Sequence, residues 1–345
     1  MKKLLKNYKI FCLILCILLL ICSTFAVTIG SVSLKGTDVW KIIVNKGSGK
    51  EIFHREWKSS IEIIVWNLRV PRVIMGMAAG GALALVGILM QCLTKNPLAS
   101  PYILGISAGA STGAVMAILF LGGTMFSVPM GAFIFGTLTA FIVFYFAGAE
   151  GFSSTRLVLI GVAVSSLFSG ITTLMIMMAP NEKELRGAVF WMSGSFSGAN
   201  WKYIPFTLIS LGISFLIVYP KYRELNILVT GDENAVALGV DVKKIRLMIV
   251  LVSTFLTGVI VSNTGIIGFV GLVIPHVTRG IIGGNHKKVI PCAILMGGVF
   301  LVLADTITRS LFVSQEIPIG VITSMFGAPF FLNMLRKKAY RFGGE

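Results

Sequence analysis

The residues able to do chemistry in this chain are few, and most are charges placed where charges are costly. Asp305 and Arg309 stand four apart inside an apolar run. That spacing puts them one helical turn apart on the same face, where they can pair. An ionisable residue at membrane depth is a functional candidate. Glu316 stands where another helix would begin, and a carboxylate there suits the positive end of the helix dipole. Arg69 and Arg72 open a further apolar run within RVPR, 69–72. His276 follows Pro275 and reads as a hydrogen-bonded structural residue. The three histidines are scattered, and Cys12, Cys16, Cys22, Cys92 and Cys292 lack metal-site or disulfide-framework spacing, so neither a metal nor another cofactor is expected. GSGK at 47–50 looks like a phosphate loop and fails as one. Glu51 replaces the hydroxyl residue that would reach magnesium, and no glycine lies five residues before Gly49. ATP, if used, must be hydrolysed by another chain. No nucleophile–base pair stands out, which argues against an enzyme. No relay of buried acids and histidines stands out either, which argues against an ion-gradient-driven transporter, the main alternative.

One polar stretch interrupts the apolar sequence: TGDENAVALGVDVKK, 230–244. Thr230 and Glu233 have capping-box spacing. A short helix over Glu233–Leu238 is expected, with Gly239 as its left-handed stop. Asp241 would then cap the next turn. Two short capped helices exceed what a linker needs, so the segment reads as a docking surface for a cytosolic partner.

These residues must be positioned by membrane helices. The chain has 345 residues, 55% hydrophobic and 13% charged, about half the charge of a soluble domain. Apolar runs of membrane-spanning length are expected from the N-terminal lysines to about residue 32, then at roughly 70–92, 101–121, 127–147, 157–178, 203–219, 245–264, 266–283, 289–308 and 317–335. The fold class is therefore all-α and polytopic, about ten helices in a single domain over 1–345. Outer loops fall at about 33–68 and 179–202, and the polar inner segment at about 221–245. An even count puts both termini on one side. With those termini inside, eighteen of thirty Lys and Arg lie inside and twelve outside, eight of the latter in 33–72. The bias favours cytoplasmic termini. The net charge of +16 sits at the ends of apolar runs, which is membrane placement and not a nucleic-acid surface. Gly76 with Gly80, and Gly105 with Gly109 and Gly113, would let helices approach closely in lipid. Helix breaks are expected at 96–101 and from Gly265 through Pro275. Arg72 and Arg246, like Pro101 and Pro275, are 174 residues apart, in spans of opposite direction, as in an inverted repeat.

Together the motifs resemble the FecCD-type permeases of ATP-binding-cassette importers, which carry iron–siderophore complexes, haem or cobalamin. The likeness covers about residues 66–338. It rests on RVPR (69–72), KNPLASPYILGISAGA (95–110), FWMSGSFSGANW (190–201), GDENAVALGV (231–240), GFVGLVIPHVTR (268–279), LADTITR (303–309) and EIPIGVITSMFGAPFF (316–331), in order. The resemblance implies the cobalamin-permease fold, with a second permease subunit, identical or homologous, completing the pathway. It implies two cytosolic ATPases and an extracellular substrate-binding protein. It implies that Gly231, Asp232, Glu233, Ala235, Leu238 and Gly239 belong to the ATPase-coupling segment. It implies that Arg69, Arg72 and Arg309 grip carboxylates of the binding protein, with interfacial anchoring as their alternative role. On either role, reversing Arg69 and Arg72 to glutamate is expected to spare the fold.

Overall fold

In a computed structural model of the chain, residues 7–30, 32, 34–148, 153–311 and 316–336 are described. In chain order, α1 is Tyr8–Thr28, α2 Gly36–Ser48, α3 Ser59–Thr94, α4 Ile106–Phe120, α5 Ser127–Gly148, α6 Ser154–Met177 and α7 Glu182–Met192. Then come α8, Ile204–Val218, α9, Tyr222–Leu228, α10, Asp232–Ala237, α11, Val242–Thr264, α12, Val270–Ile282, α13, His286–Leu311, and α14, Ile319–Arg336. Seven segments are long and apolar enough to cross a membrane: α1, α3, α5, α6, Ile204–Leu228, α11 and α13. Three shorter apolar helices, α4, α12 and α14, fill the remaining places. Their order is that of the ten expected spans.

The hub is α3. In its most apolar stretch 89% of the residues are buried, against 22% in α6, so α3 is the axis and α6 leaves most of its surface uncovered by this chain. Two helices pack on α3 through glycine. A methyl group at Gly80 would strike the Gly297 carbonyl of α13, and one at Gly87 the Gly271 carbonyl of α12. Backbones this close are what small residues permit in lipid, where dispersion and shape drive association. Gly109 and Gly113 perform the same task between α4 and α5. Gly76 does not, because a methyl there would find ordinary packing room, and Gly105 instead caps α4 in a left-handed conformation.

Both expected helix breaks are present, and each satisfies the other. After Lys95 the chain leaves helix, and a short 3-10 turn, Pro101–Leu104, precedes α4. After α11 residues 265–269 are non-helical, and Phe269 adopts a left-handed φ of 65° before α12. The Tyr102 hydroxyl donates to the Ile267 carbonyl at 2.8 Å and accepts from the Ile267 N–H at 3.1 Å. Pro101 packs on Gly271, which also lies against the Leu83 carbonyl midway along α3. Irregular backbone at this depth is tolerated because protein supplies its hydrogen bonds. Pro275 lies inside α12, so the second break is shorter than the sequence reading made it.

The second span begins earlier than RVPR. The helix starts at Ser59 and runs through a π-helical stretch, Ile64–Arg69, in which the Val70 N–H bonds to the carbonyl five residues back. Widening of this kind lets the helix absorb Pro71, whose ring would clash with the carbonyl four residues before it. Both expected outer loops also contain helix. In the first, α2 buries Val39 and Ile42 with Trp57 and Val65. The GSGK motif ends this helix, with Gly49 left-handed at its stop. In the second, the Asn181 side chain caps α7 by accepting from the Glu184 N–H.

Contacts between helix ends show the spans alternating in direction. The first half of α3 joins the ends of α1 and α13 through Arg69, Arg72 and Arg309. At its other end Lys95 meets Asp232 of α10, beside the start of α11. Tyr203, before α8, reaches the Met125 carbonyl between α4 and α5, and Ser154 of α6 reaches the Leu93 carbonyl. Arg72 and Arg246 thus lie at opposite ends of antiparallel helices. The two ends are called below the arginine end and the short-helix end.

Candidate docking interfaces

At the arginine end, five charged side chains, two from α3, two from α13 and one just before α14, converge on the end of α1. Arg69 is buried and donates to three backbone carbonyls at and just beyond the end of α1: Val27 and Thr28 at 2.8 Å and Val32 at 2.5 Å. Arg309 reaches the same terminus, at the Ala26 and Ile29 carbonyls, 2.9 and 3.3 Å away. The last carbonyls of a helix have no partner within it and carry its negative dipole end, so two guanidinium groups cap α1. Asp305, 2% exposed, accepts from Arg72 Nε at 2.9 Å and from Arg309 Nε at 3.0 Å. Glu316, beside the start of α14, accepts from Arg72 Nη1 at 2.5 Å with its own side chain 48% exposed.

The expected Asp305–Arg309 pair is therefore present, within a larger cluster. Arg72 joins it from 233 residues away, a distance that leaves no local sequence signal. The expectation that Arg69 and Arg72 can be reversed without loss of the fold is corrected. A glutamate at 69 would face three carbonyls, and one at 72 would face two carboxylates.

At the short-helix end, the polar interruption forms α10. Its N-cap is Gly231, with no side-chain capping bond, and Thr230 instead donates to the Ile227 carbonyl. The capping box read from Thr230 and Glu233 is thus absent, because the chain turns at Gly231, whose φ of 127° only glycine adopts readily. The stop is as expected. Gly239 has φ 78°, its N–H bonds to the Val236 carbonyl, and the Val240 N–H bonds to the Ala235 carbonyl, which is a Schellman motif. Asp241 caps α11 through the Lys244 N–H at 3.1 Å. The second short helix therefore lies upstream, as α9, and the turn after Asp241 is the first turn of a span.

Asp232 fixes α10 to the membrane helices through Lys95 Nζ at 2.9 Å and Arg246 Nη2 at 2.5 Å. Burial alone would raise its pKa, but these two cations hold its carboxyl below the usual range. Ala235 is fully buried and seats the helix, whereas Val236 and Leu238 are exposed at 64% and 66%. Glu233 and Gly239 are also exposed. Of the six residues the resemblance singled out, Ala235 and Asp232 thus hold the segment in place, while Glu233, Leu238 and Gly239 form its outward face. Val236 belongs to that face and was missed, although its position one turn from Glu233 could have pointed to it.

The pattern of the FecCD transport family matches residues 17–337. The chain belongs to that family. It is 38% identical over 283 residues to the cobalamin import system permease protein BtuC of Halobacterium salinarum, covering 81% of this chain and 75% of that one. It is 36% identical to the Fe(3+)-citrate import system permease protein YfmD of Bacillus subtilis, covering 81% and 84%. It is 33% identical to the molybdate import system permease protein MolB of Haemophilus influenzae, covering 92% of each. Among solved structures, an inward-facing metal-chelate type ABC transporter aligns with a TM-score of 0.82 and 31% identity over 96% of this chain and all of that one. The PsaBC structure from Streptococcus pneumoniae, at 21% identity and a TM-score of 0.55, shares the fold. This FecCD chain is a multi-pass membrane permease subunit of an ABC importer, and the ion-gradient alternative falls away.

Proposed function

We propose that this permease forms half of a pathway for a metal chelate, in the class of iron–siderophore complexes, haem or cobalamin. A second permease subunit, identical or homologous, completes the pathway. Two cytosolic ATPases dock on the short-helix end through α10 and supply the ATP site, a reading supported by GSGK, the one phosphate-loop-like stretch, being the stop of α2. An extracellular binding protein docks on the arginine end through the edge formed by Arg72 and Arg309, with Arg69 holding α1 behind it. The chain sits in lipid of the cell membrane with both termini cytoplasmic, and needs no cofactor. The observation that carries this reading is the opposition of the two surfaces, one at each end of α3. The relatives are named for a cobalamin, an iron chelate and an oxyanion, so the shared fold leaves cargo choice to the pathway wall and the binding protein. The test is uptake into proteoliposomes holding the whole importer. ATP-dependent accumulation of a chelate, abolished when the phosphate-loop lysine of the ATPase is replaced, supports the reading. Uptake that follows an ion gradient without ATP overturns it.

A further inference from the structure

The two carboxylates at the arginine end are not equivalent. Asp305 lies at 2% exposure between Arg72 and Arg309, taking one Nε–H from each. Removing it would strand two cations, so it is a fixed part of the fold. Among the described residues Glu316 takes its one hydrogen bond from Arg72 Nη1, and nearly half of its side chain is in solvent. It also lies outside regular helix, three residues before α14. The pair is half-buried, with the Arg72 side chain 10% exposed and Glu316 48%, so solvent screens the carboxylate end and Glu316 can leave into water while Arg72 stays enclosed. A guanidinium grips successive carboxylates through parallel N–H bonds, so one held from behind by Asp305 stays aimed while its outer partner changes.

We propose that Glu316 is a displaceable internal counter-ion: it occupies the outer N–H of Arg72 in the undocked permease, and a carboxylate of the docking partner takes its place. The exchange rests on the docking reading given above. It adds that the permease supplies its own competitor for its binding edge. That competitor lies three residues before α14, whose Gly320 packs directly on the Ser193 carbonyl after α7.

The test uses the complete importer in nanodiscs and its binding protein, purified without substrate and fluorescently labelled. Glu316→Gln removes the competing charge and keeps the shape, so affinity should rise about 2–5-fold or more, since the low end of that range is what a fully exposed ion pair is worth. Arg72→Gln should lower it by tenfold or more. Tighter docking in the first variant and weaker docking in the second supports the exchange. Unchanged or weaker docking of Glu316→Gln, with Arg72→Gln weakened, overturns the exchange and leaves the docking reading standing. No change in either variant overturns both. Should Glu316→Gln assemble poorly, Glu316→Asp keeps the charge on a shorter arm. Its affinity should fall between wild type and the glutamine variant, and a value at or below wild type counts against the proposal.

Discussion

The two ends of the permease present opposite kinds of surface to the partners proposed for them. At the arginine end the charges are largely enclosed and already bonded: Asp305 pairs with Arg72 and Arg309, Glu316 pairs with Arg72, and Arg69 and Arg309 cap α1 through its carbonyls. At the short-helix end the backbone is capped by its own turns, the charges lie at the rim, and Val236 and Leu238 stand exposed. A partner at the first end has to exchange bonds the chain already makes. A partner at the second can bury apolar surface at about 25 cal/mol per Å² without breaking anything. The contrast suits a contact that forms and releases on one side and one that persists on the other.

The largest effect that would sharpen this contrast is at Asp305. Asp305→Ala leaves Arg72 and Arg309 without their buried carboxylate, a loss on the order of 3–5 kcal/mol. The variant is expected to lose yield and monodispersity in detergent, as read by size exclusion, and its first helix to become protease-sensitive near Thr28. A stable, well-expressed Asp305→Ala protein would mean that the cluster is not the structural clamp described here.

Gly239→Val should act more locally. Nothing lies within 4 Å of the position a side chain would take, but φ is 78°, so the cost is backbone strain of about 1–2 kcal/mol. Global thermal stability should barely change, while ATP hydrolysis stimulated by the binding protein falls. Wild-type stimulation would show that the stop of α10 does not set its docking geometry.

The smallest effect is at Asp232. Its carboxyl is held below the usual range, so its contribution is fully present above the unfolded pKa of about 3.9 and is lost only as pH falls through the depressed folded value. Asp232→Asn should therefore cost the same modest amount, within about 1 kcal/mol for so exposed a group, at pH 5 and at pH 8. Melting curves of wild type and variant should converge only below about pH 4. Convergence near pH 6 would contradict the assignment.

How much of this was legible depends on whether the signal was local. Seven of the expected spans as membrane-length helices and the other three as shorter apolar helices, both helix breaks, the Asp305–Arg309 turn and the Gly239 stop follow from local sequence, and the structure has them. Asp241 was likewise readable as a cap. The capping box at Thr230 failed because the spacing is necessary and not sufficient, and Gly231 offered the chain another way to turn. Two helices went unread because their segments were judged by polarity alone. Asn181 with Glu184 carries the cap-and-acid spacing that Thr230 with Glu233 only imitates, and in α2 the buried Val39 and Ile42 stand three apart on one face. What no local rule could supply is contact across the chain. Arg72 with Asp305, Tyr102 with Ile267, Gly87 with Gly271, and the Cys12 and Cys292 thiols 3.0 Å apart are created by the packing of spans. Arginines that read as free at a membrane edge are for the same reason enclosed.

On the proposed function, the ATPase attaches at α10 by its exposed apolar face. The most direct measurement is the stoichiometry of ATPase to permease in complexes purified through the permease, for wild type and for Val236→Asp with Leu238→Asp. Both side chains point to solvent in the isolated chain, so the double variant should fold and melt as wild type, while the ATPase is lost from the complex and ATP-driven uptake stops. A double variant that retains the ATPase at wild-type stoichiometry and still transports would contradict the account.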